Sequence, residues 1–297
     1  MAHDPIAPAT LKPIQLLGLN GLRLAGESAG NPTHVPVVLL HGGGQTRHAW
    51  ASTAIRLAEA GYYALAYDAR GHGDSAWSEC GDYSPEALIG DLRAVTSRLS
   101  ARPILVGASM GGLTLMVALG EAEEDYARAL VLVDIAARLE ASGVARVLEF
   151  MRAHTSGFAT LDEAVDAVAA YNPHRPRPRG TEGLRKNLRH RDGRWYWHWD
   201  PRFLDHATRT QAGEALIQQE RRENAARRIR VPTLLVRGGS SDVVSPAGAR
   251  ALQELIPHAE LADVAEAGHM VAGDRNDLFS EAVIAFLHCH APPHQSA

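Results

Sequence analysis

An α/β fold with a doubly wound, mostly parallel sheet and an inserted helical cap is predicted by three observations. Short apolar runs mostly end in Gly, Asp or His, helical patterns separate them, and the alternation breaks once over a long stretch. The runs are Val35–Leu40, Tyr63–Tyr67, Pro103–Val106, Ala129–Val133 and Val231–Val236. They are rich in Val and Leu and read as strands covered on both faces, as parallel strands are. The helical patterns Ala49–Ala60, Pro85–Leu99, Gly111–Gly120 and Pro246–Leu255 lie between and after them, the arrangement that generates parallel neighbours. Leu16–Ala25, with Asn20-Gly21 at its centre, reads as a hairpin with a type I′ turn that adds antiparallel strands at one edge. From Ala136 to Arg230 the patterns Val144–His154 and Leu161–Tyr171 follow one another without a convincing buried strand, which defines the cap as 136–230 and the core as 1–135 plus 231–297. A short strand, Ala259–Val264, and a final helix, Asp277–His288, precede the polar tail Ala291–Ala297.

The chain of 297 residues, with 45% apolar and 22% charged residues, has the composition of a globular protein and excludes collagen, coiled-coil and disordered classes. A formal net charge of −4 argues against a nucleic-acid partner, because phosphate binding draws on a basic surface. No window approaches the roughly 18 apolar residues of a membrane span, so no membrane partner is expected. The two cysteines, Cys80 and Cys289, lack metal-ligand spacing and suit a reducing compartment. Met1–Thr10 contains Pro5 and Pro8 and has neither a basic start nor an apolar stretch, which predicts no secretory leader and a cytoplasmic location. Lysine occurs only as Lys12 and Lys186 against many arginines, a bias of GC-rich bacterial genomes. The expected partner is a small molecule, and a homo-oligomer is left open.

The chemistry concentrates at strand ends. Gly107-Ala108-Ser109-Met110-Gly111 follows one strand and opens an apolar helix. A nucleophile on so tight a turn needs small neighbours, because side chains at Gly107 and Gly111 would clash. The same turn sets Ser109 at the positive end of the helix, where the Met110 amide can face an oxyanion. His41-Gly42-Gly43-Gly44 ends the first buried strand and offers a second donor, Gly43, with Gly44 as the near alternative. A strand also ends in Arg237-Gly238-Gly239-Ser240-Ser241-Asp242, and Glu266-Ala267-Gly268-His269-Met270 lies just beyond. Both fall at the carboxyl end of the sheet, where open α/β folds build their sites.

His41–Gly44, Asp68-Ala69-Arg70-Gly71-His72-Gly73-Asp74-Ser75, Gly107–Gly111, Asp242 and Gly268-His269 together resemble the α/β-hydrolase superfamily over nearly the whole chain. The DxRGHGxS segment is similar to that of its esterase, haloperoxidase-like, epoxide-hydrolase-like and carbon–carbon-bond hydrolase branches, and reads here as a structural turn. The order Ser, Asp, His is that of the superfamily. The resemblance implies a triad of Ser109, His269 and Asp242, no cofactor and no metal. Ser109 in place of an elbow aspartate disfavours epoxide and haloalkane chemistry and suits acyl transfer. The expected activity is hydrolysis of a carboxylic ester or lactone. Cleavage of a carbon–carbon bond in a vinylogous diketone and a weakly catalytic receptor are the alternatives. Asp134, at the end of the strand Ala129–Val133, is the competing acid; otherwise it caps the connection to the insert or lines the pocket.

Trp195-Tyr196-Trp197-His198-Trp199 is dense in aromatics for a chain that is 6% aromatic, and Trp195, Trp197 and Trp199 are expected to roof the substrate pocket or to pack the insert onto the core. Trp50 and Gly44 are further substrate-binding candidates. The eight basic residues Arg175, Arg177, Arg179, Arg185, Lys186, Arg189, Arg191 and Arg194 read as a solvated face, with attraction of an anionic substrate as the second reading. His41 reads as a loop-positioning group, and His72 and His154 as structural histidines without a nameable partner.

Overall fold

The computed structural model describes residues 9–173, 177, 180–208, 212–265, 267–269, 271 and 276–293. The sequence readings on Met1–Pro8, Arg175, Arg179, Glu266 and Met270 lie outside them. An eight-stranded sheet organises the molecule. Its strands are β1 (Lys12–Leu17), β2 (Arg23–Ala29), β3 (Pro36–Leu40), β4 (Tyr63–Tyr67), β5 (Ile104–Ala108), β6 (Ala129–Val133), β9 (Thr233–Gly238) and β10 (Glu260–Val264), in the order β1-β2-β4-β3-β5-β6-β9-β10. From β4 to β10 every pairing is parallel; β1 and β2 run antiparallel at one edge. The edge hairpin turns through Asn20 and Gly21, with φ of 56° and 77°, the pair of positive values that a type I′ turn requires.

Both faces of the sheet are covered, which is why β3, β5 and β6 read as unbroken apolar runs. On one side the core gathers Leu40, Leu105, Leu132 and Leu235 under α2 (Pro85–Thr96), α3 (Met110–Gly120), α8 (Ala212–Arg227) and α9 (Pro246–Leu255). On the other, Leu39, Val106, Val131 and Val236 pack under α1 (Ala51–Glu59) and α10 (Asn276–His290). The helix starts follow local chemistry: Ser84 and Ser245 cap α2 and α9 through side-chain oxygens that accept from Ala87 and Gly248 amides, each ahead of a proline in the first turn.

Between β6 and β9 lie α4 (Ala141–Arg152), α5 (Leu161–Tyr171), α6 (Glu182–Arg185), the hairpin β7 (Leu188–Arg191) and β8 (Arg194–Trp197), and α7 (Pro201–Thr208). Two differences from the expected largely helical insert 136–230 have physical causes. Trp195-Tyr196-Trp197 of the aromatic run lie in a strand, β8, because alternating bulky rings suit a pleated surface better than a helix face. The last helix, α8, belongs to the core rather than the insert. Ala225, Ala226 and Ile229 join the main core, and α8 crosses α3 so closely that a Cβ on Gly120 would stand 2.1 Å from the Ala225 carbonyl oxygen. The insert keeps its own small core of Met151, Phe158, Leu188, Trp197, Trp199 and Leu204.

Candidate active site

Ser109 sits between β5 and α3 with φ 46° and ψ −114°, a region that L residues avoid. The strain is held by close packing. A Cβ on Gly107 would stand 2.7 Å from the Gly111 carbonyl carbon, and one on Gly111 would stand 2.5 Å from the Leu40 carbonyl oxygen. No other residue fits at either position without moving β3 or α3. The Ser109 amide donates to the Val133 carbonyl at 3.1 Å, which ties the turn to the end of β6.

His269 faces the same cavity as Ser109. Its Nδ1 lies 2.7 Å from Oδ2 of Asp134, and Nε2 is the ring nitrogen left for another partner. Asp134 is fully buried, and its carboxylate also accepts from the Gly238 amide at 2.9 Å and the Ser241 hydroxyl at 2.5 Å. The expected acid, Asp242, does not reach His269. Its side chain is 38% exposed and pairs with Nε of Arg146 on α4 at 2.8 Å. The reason is the path of the chain after β9. Backbone bonds from Gly239 to Val264, Ser240 to Ala267 and Ser241 to Gly238 curl this loop so that Ser241 points inward and Asp242 points toward the insert. Asp134 leaves its strand with φ 46°, directly beside the end of β9. Gly238 in turn allows the histidine loop to approach, since a Cβ there would stand 2.2 Å from the Gly268 carbonyl oxygen.

The glycine loop after β3 is fixed by side chains that sequence reasoning named only in part. The Gly42 amide donates to Gln45 Oε1 at 2.9 Å and the Gly44 amide to His72 Nε2 at 3.2 Å. Among the described residues the amides of Gly43 and Met110 have no acceptor in the chain, and both residues line the cavity with Ser109. Gly44, the alternative donor, is therefore already engaged. Behind the loop three buried histidines each tie its backbone to that of the Asp68–Ser75 segment. His41 Nδ1 meets the Gly42 carbonyl at 2.7 Å while Nε2 accepts from the Ala69 amide at 2.9 Å. His72 Nδ1 meets the Arg70 carbonyl at 3.2 Å, and His198 accepts the Gly73 amide at 2.7 Å and meets the Gly44 carbonyl at 3.3 Å. Each ring accepts through one nitrogen and donates through the other, the pattern of a neutral imidazole. Burial pushes His41 down to about 4, His72 to about 3 and His198 well below its ordinary value.

The Asp68–Ser75 segment is the structural turn expected of it. Buried Asp68 accepts from the Arg47 and Asp74 amides and pairs with the Arg47 guanidinium, and Ser75 donates to the Asp68 carbonyl at 2.6 Å. Arg70 forms a two-pronged pair with Asp91 at 2.7 Å for each bond. His198 and Ser241 were not legible in sequence. One hides in an aromatic run and the other in a loop whose curl no local pattern announces.

Two cavities meet at Ser109 and His269. One, of about 350 Å³, is polar along one wall, with Gln45, His48, Asn172, Lys186 and Asn187 facing Trp50, Trp197 and Trp199. The second, of about 340 Å³, is lined mainly by Leu88, Leu113, Val117, Ile135, Leu148 and Phe203. Trp197 and Trp199 stack at 5.1 Å and form part of the roof. Trp50 is buried against Phe279, with ring centroids 5.8 Å apart, and also lines the polar cavity. Trp195 is not a pocket residue: it packs on His190 at 4.6 Å, and its backbone pairs with Phe158. Asp134 likewise stands behind His269 and lines neither cavity. The basic run mostly braces the insert: Arg177 meets Asp166, Arg194 holds the Ser156 and Gly157 carbonyls, and Arg191 covers the Tyr196 ring. Among the described residues of that run, Lys186 alone lines the polar cavity.

The family profile described as alpha/beta hydrolase fold matches residues 35–275. The chain is 33% identical over 263 residues to Esterase Rv0045c of Mycobacterium tuberculosis, covering 84% of this chain and 82% of that one. It is 30% identical over 271 residues to the sn-1-specific diacylglycerol lipase ABHD11 of Mus musculus, covering 87% of this chain and 82% of that one. The crystal structure of the M. tuberculosis esterase superposes with a TM-score of 0.73 at 29% identity over 95% of this chain and 93% of that one. E-2-(acetamidomethylene)succinate hydrolase superposes with a TM-score of 0.79 at 21% identity over 93% of this chain and 99% of that one, a likeness of fold.

Proposed function

The chain belongs to the alpha/beta hydrolase fold family and is a hydrolase of that fold; from this premise we propose that it cleaves a carboxylic ester or lactone through an acyl-enzyme on Ser109. The observation that carries the reading is one constellation. Ser109 is held on a strained elbow at the junction of two cavities, beside a histidine whose far nitrogen is bound to a buried carboxylate. His269 Nε2 takes the Ser109 proton as the hydroxyl oxygen attacks the carbonyl carbon. Asp134 keeps the Nδ1 proton in place and stabilises the imidazolium that forms. Negative charge on the carbonyl oxygen is received by the amides of Gly43 and Met110, each worth about 3 kcal/mol in the transition state. The imidazolium then protonates the departing alcohol, and a water activated by His269 hydrolyses the acyl-enzyme. The insert acts as a cap, with Trp197 and Trp199 roofing the polar arm.

Turnover of p-nitrophenyl hexanoate and labelling by a fluorophosphonate test this reading. Ser109→Ala is expected to lose both while keeping the wild-type unfolding midpoint. Wild-type turnover in that variant, or a label mapped to another residue, would remove Ser109 from the mechanism.

A further inference from the structure

The second cavity holds a cation that no carboxylate among the described residues pairs with. Arg222 on α8 lines it together with Ser109, Met110 and His269. Its Nε donates to the Ala137 carbonyl at 3.0 Å, and among the described residues no carboxylate pairs with its guanidinium. The adjacent Glu223 is committed elsewhere, accepting from Arg138 Nε at 2.7 Å and lying 3.5 Å from Arg227. Burial lowers the pKa of Arg222, opposed only by the field of Glu223. Arg222 is half-buried, and a partly desolvated guanidinium gains from an anion that reaches it. Gln218, one turn earlier on the same helix face, also lines the cavity.

The rest of that cavity is apolar and follows α3. Met110, Leu113, Thr114 and Val117 form a stripe two turns long, about 10 Å at the rise of an α-helix. Helix α8 meets α3 where Ala225 abuts Gly120, about three turns of α3 beyond Ser109, and Arg222 stands one turn of α8 from that contact. A ligand lying along the stripe thus has a reacting carbonyl at one end, six to eight carbons of apolar contact, and a fixed positive charge at the other. We propose that the substrate is an ester carrying a carboxylate at the far end of an aliphatic segment, and that Arg222, assisted by Gln218, recognises that carboxylate. The inference rests on the ester-hydrolase reading above and names its substrate class.

The test compares esters matched in length that differ only in the terminal group, and it places the carboxylate on either half. Mono-p-nitrophenyl adipate and suberate are set against p-nitrophenyl hexanoate and octanoate; 6-acetoxyhexanoate is set against hexyl acetate. The wild-type protein is expected to favour the ionised member of one of these sets by roughly tenfold or more in kcat/KM, through KM. That preference ratio should collapse toward unity in Arg222→Gln and recover in part in Arg222→Lys, which keeps the charge and loses the two-pronged fork. Whichever set shows the effect identifies the half that carries the carboxylate. A wild-type ratio near unity in both sets, or a ratio that Arg222→Gln leaves unchanged because both members fall together, overturns the inference while leaving Ser109 chemistry intact. Should no ester turn over, calorimetric binding of adipate to Ser109→Ala decides: binding that Arg222→Gln removes supports the inference, and equal binding in both backgrounds overturns it.

Discussion

His41, His72 and His198 hold the glycine loop as neutral acceptors and donors, and protonating any of them turns an acceptor nitrogen into a donor facing an amide. Their pKa values are lowered in the folded state, so the unfolded chain binds more protons below the ordinary histidine value of about 6.5. The stability they confer is complete above about pH 6.5 and is lost as pH falls toward 4, at roughly 1.4 kcal/mol per pH unit for each histidine. Urea midpoints measured from pH 7 to pH 5 should fall, and His41→Gln should flatten the slope; a midpoint independent of pH over that range would contradict the neutral assignment. Sequence reading named His41 as a loop holder, since it opens the glycine turn. It could not supply His198, whose partners Gly73 and Gly44 lie more than a hundred positions away. The acid illustrates the same limit. Asp134 and Asp242 both end strands at the proper edge, and only the curl of residues 239–241 decides which carboxylate meets His269.

At the scale of elements, the elbow is the most legible feature, because its glycines are demanded by contacts that any homologous strand-to-helix turn would make. Gly111→Ala forces a methyl against the Leu40 carbonyl and is expected to cost about 1–3 kcal/mol of stability, read as a lowered urea midpoint with an unchanged slope. An unaltered midpoint would show that β3 yields more readily than close packing allows. The insert was legible as an interruption and illegible as a shape. Its aromatic run satisfies a strand, whereas periodicity over so few residues does not separate strand from helix. Its own small core is separate from the two cores under the sheet, so it should open at lower free energy. Amides of β7 and β8 are expected to exchange hydrogen well before those of β3, β5 and β6; simultaneous exchange would mean the insert and sheet form one cooperative unit.

Across the whole molecule, the buried apolar runs announced the parallel strands and the Asn20-Gly21 pair announced the antiparallel edge, because burial on both faces and positive φ each restrict residue type directly. Boundaries were less legible. Helix α8 is polar and charged from Gln218 to Asn224 and reveals its core allegiance only through Ala225 and Ala226. The site is a product of this global arrangement: β3, β5, β6, β9 and β10 each contribute one loop at a common edge, and α3 and α8 frame the apolar arm between them. On the proposed mechanism, these loops assemble Ser109, His269 and Asp134 into one acyl-transfer unit. Its most direct test is kcat on p-nitrophenyl hexanoate for Asp134→Asn and Asp242→Asn measured side by side. Asp134→Asn should lower kcat on the order of 10³–10⁴-fold, as loss of the orienting carboxylate does. Asp242→Asn breaks only a half-exposed pair with Arg146 and should stay within about threefold of wild type. A severe loss in Asp242→Asn with Asp134→Asn near wild type would contradict the account.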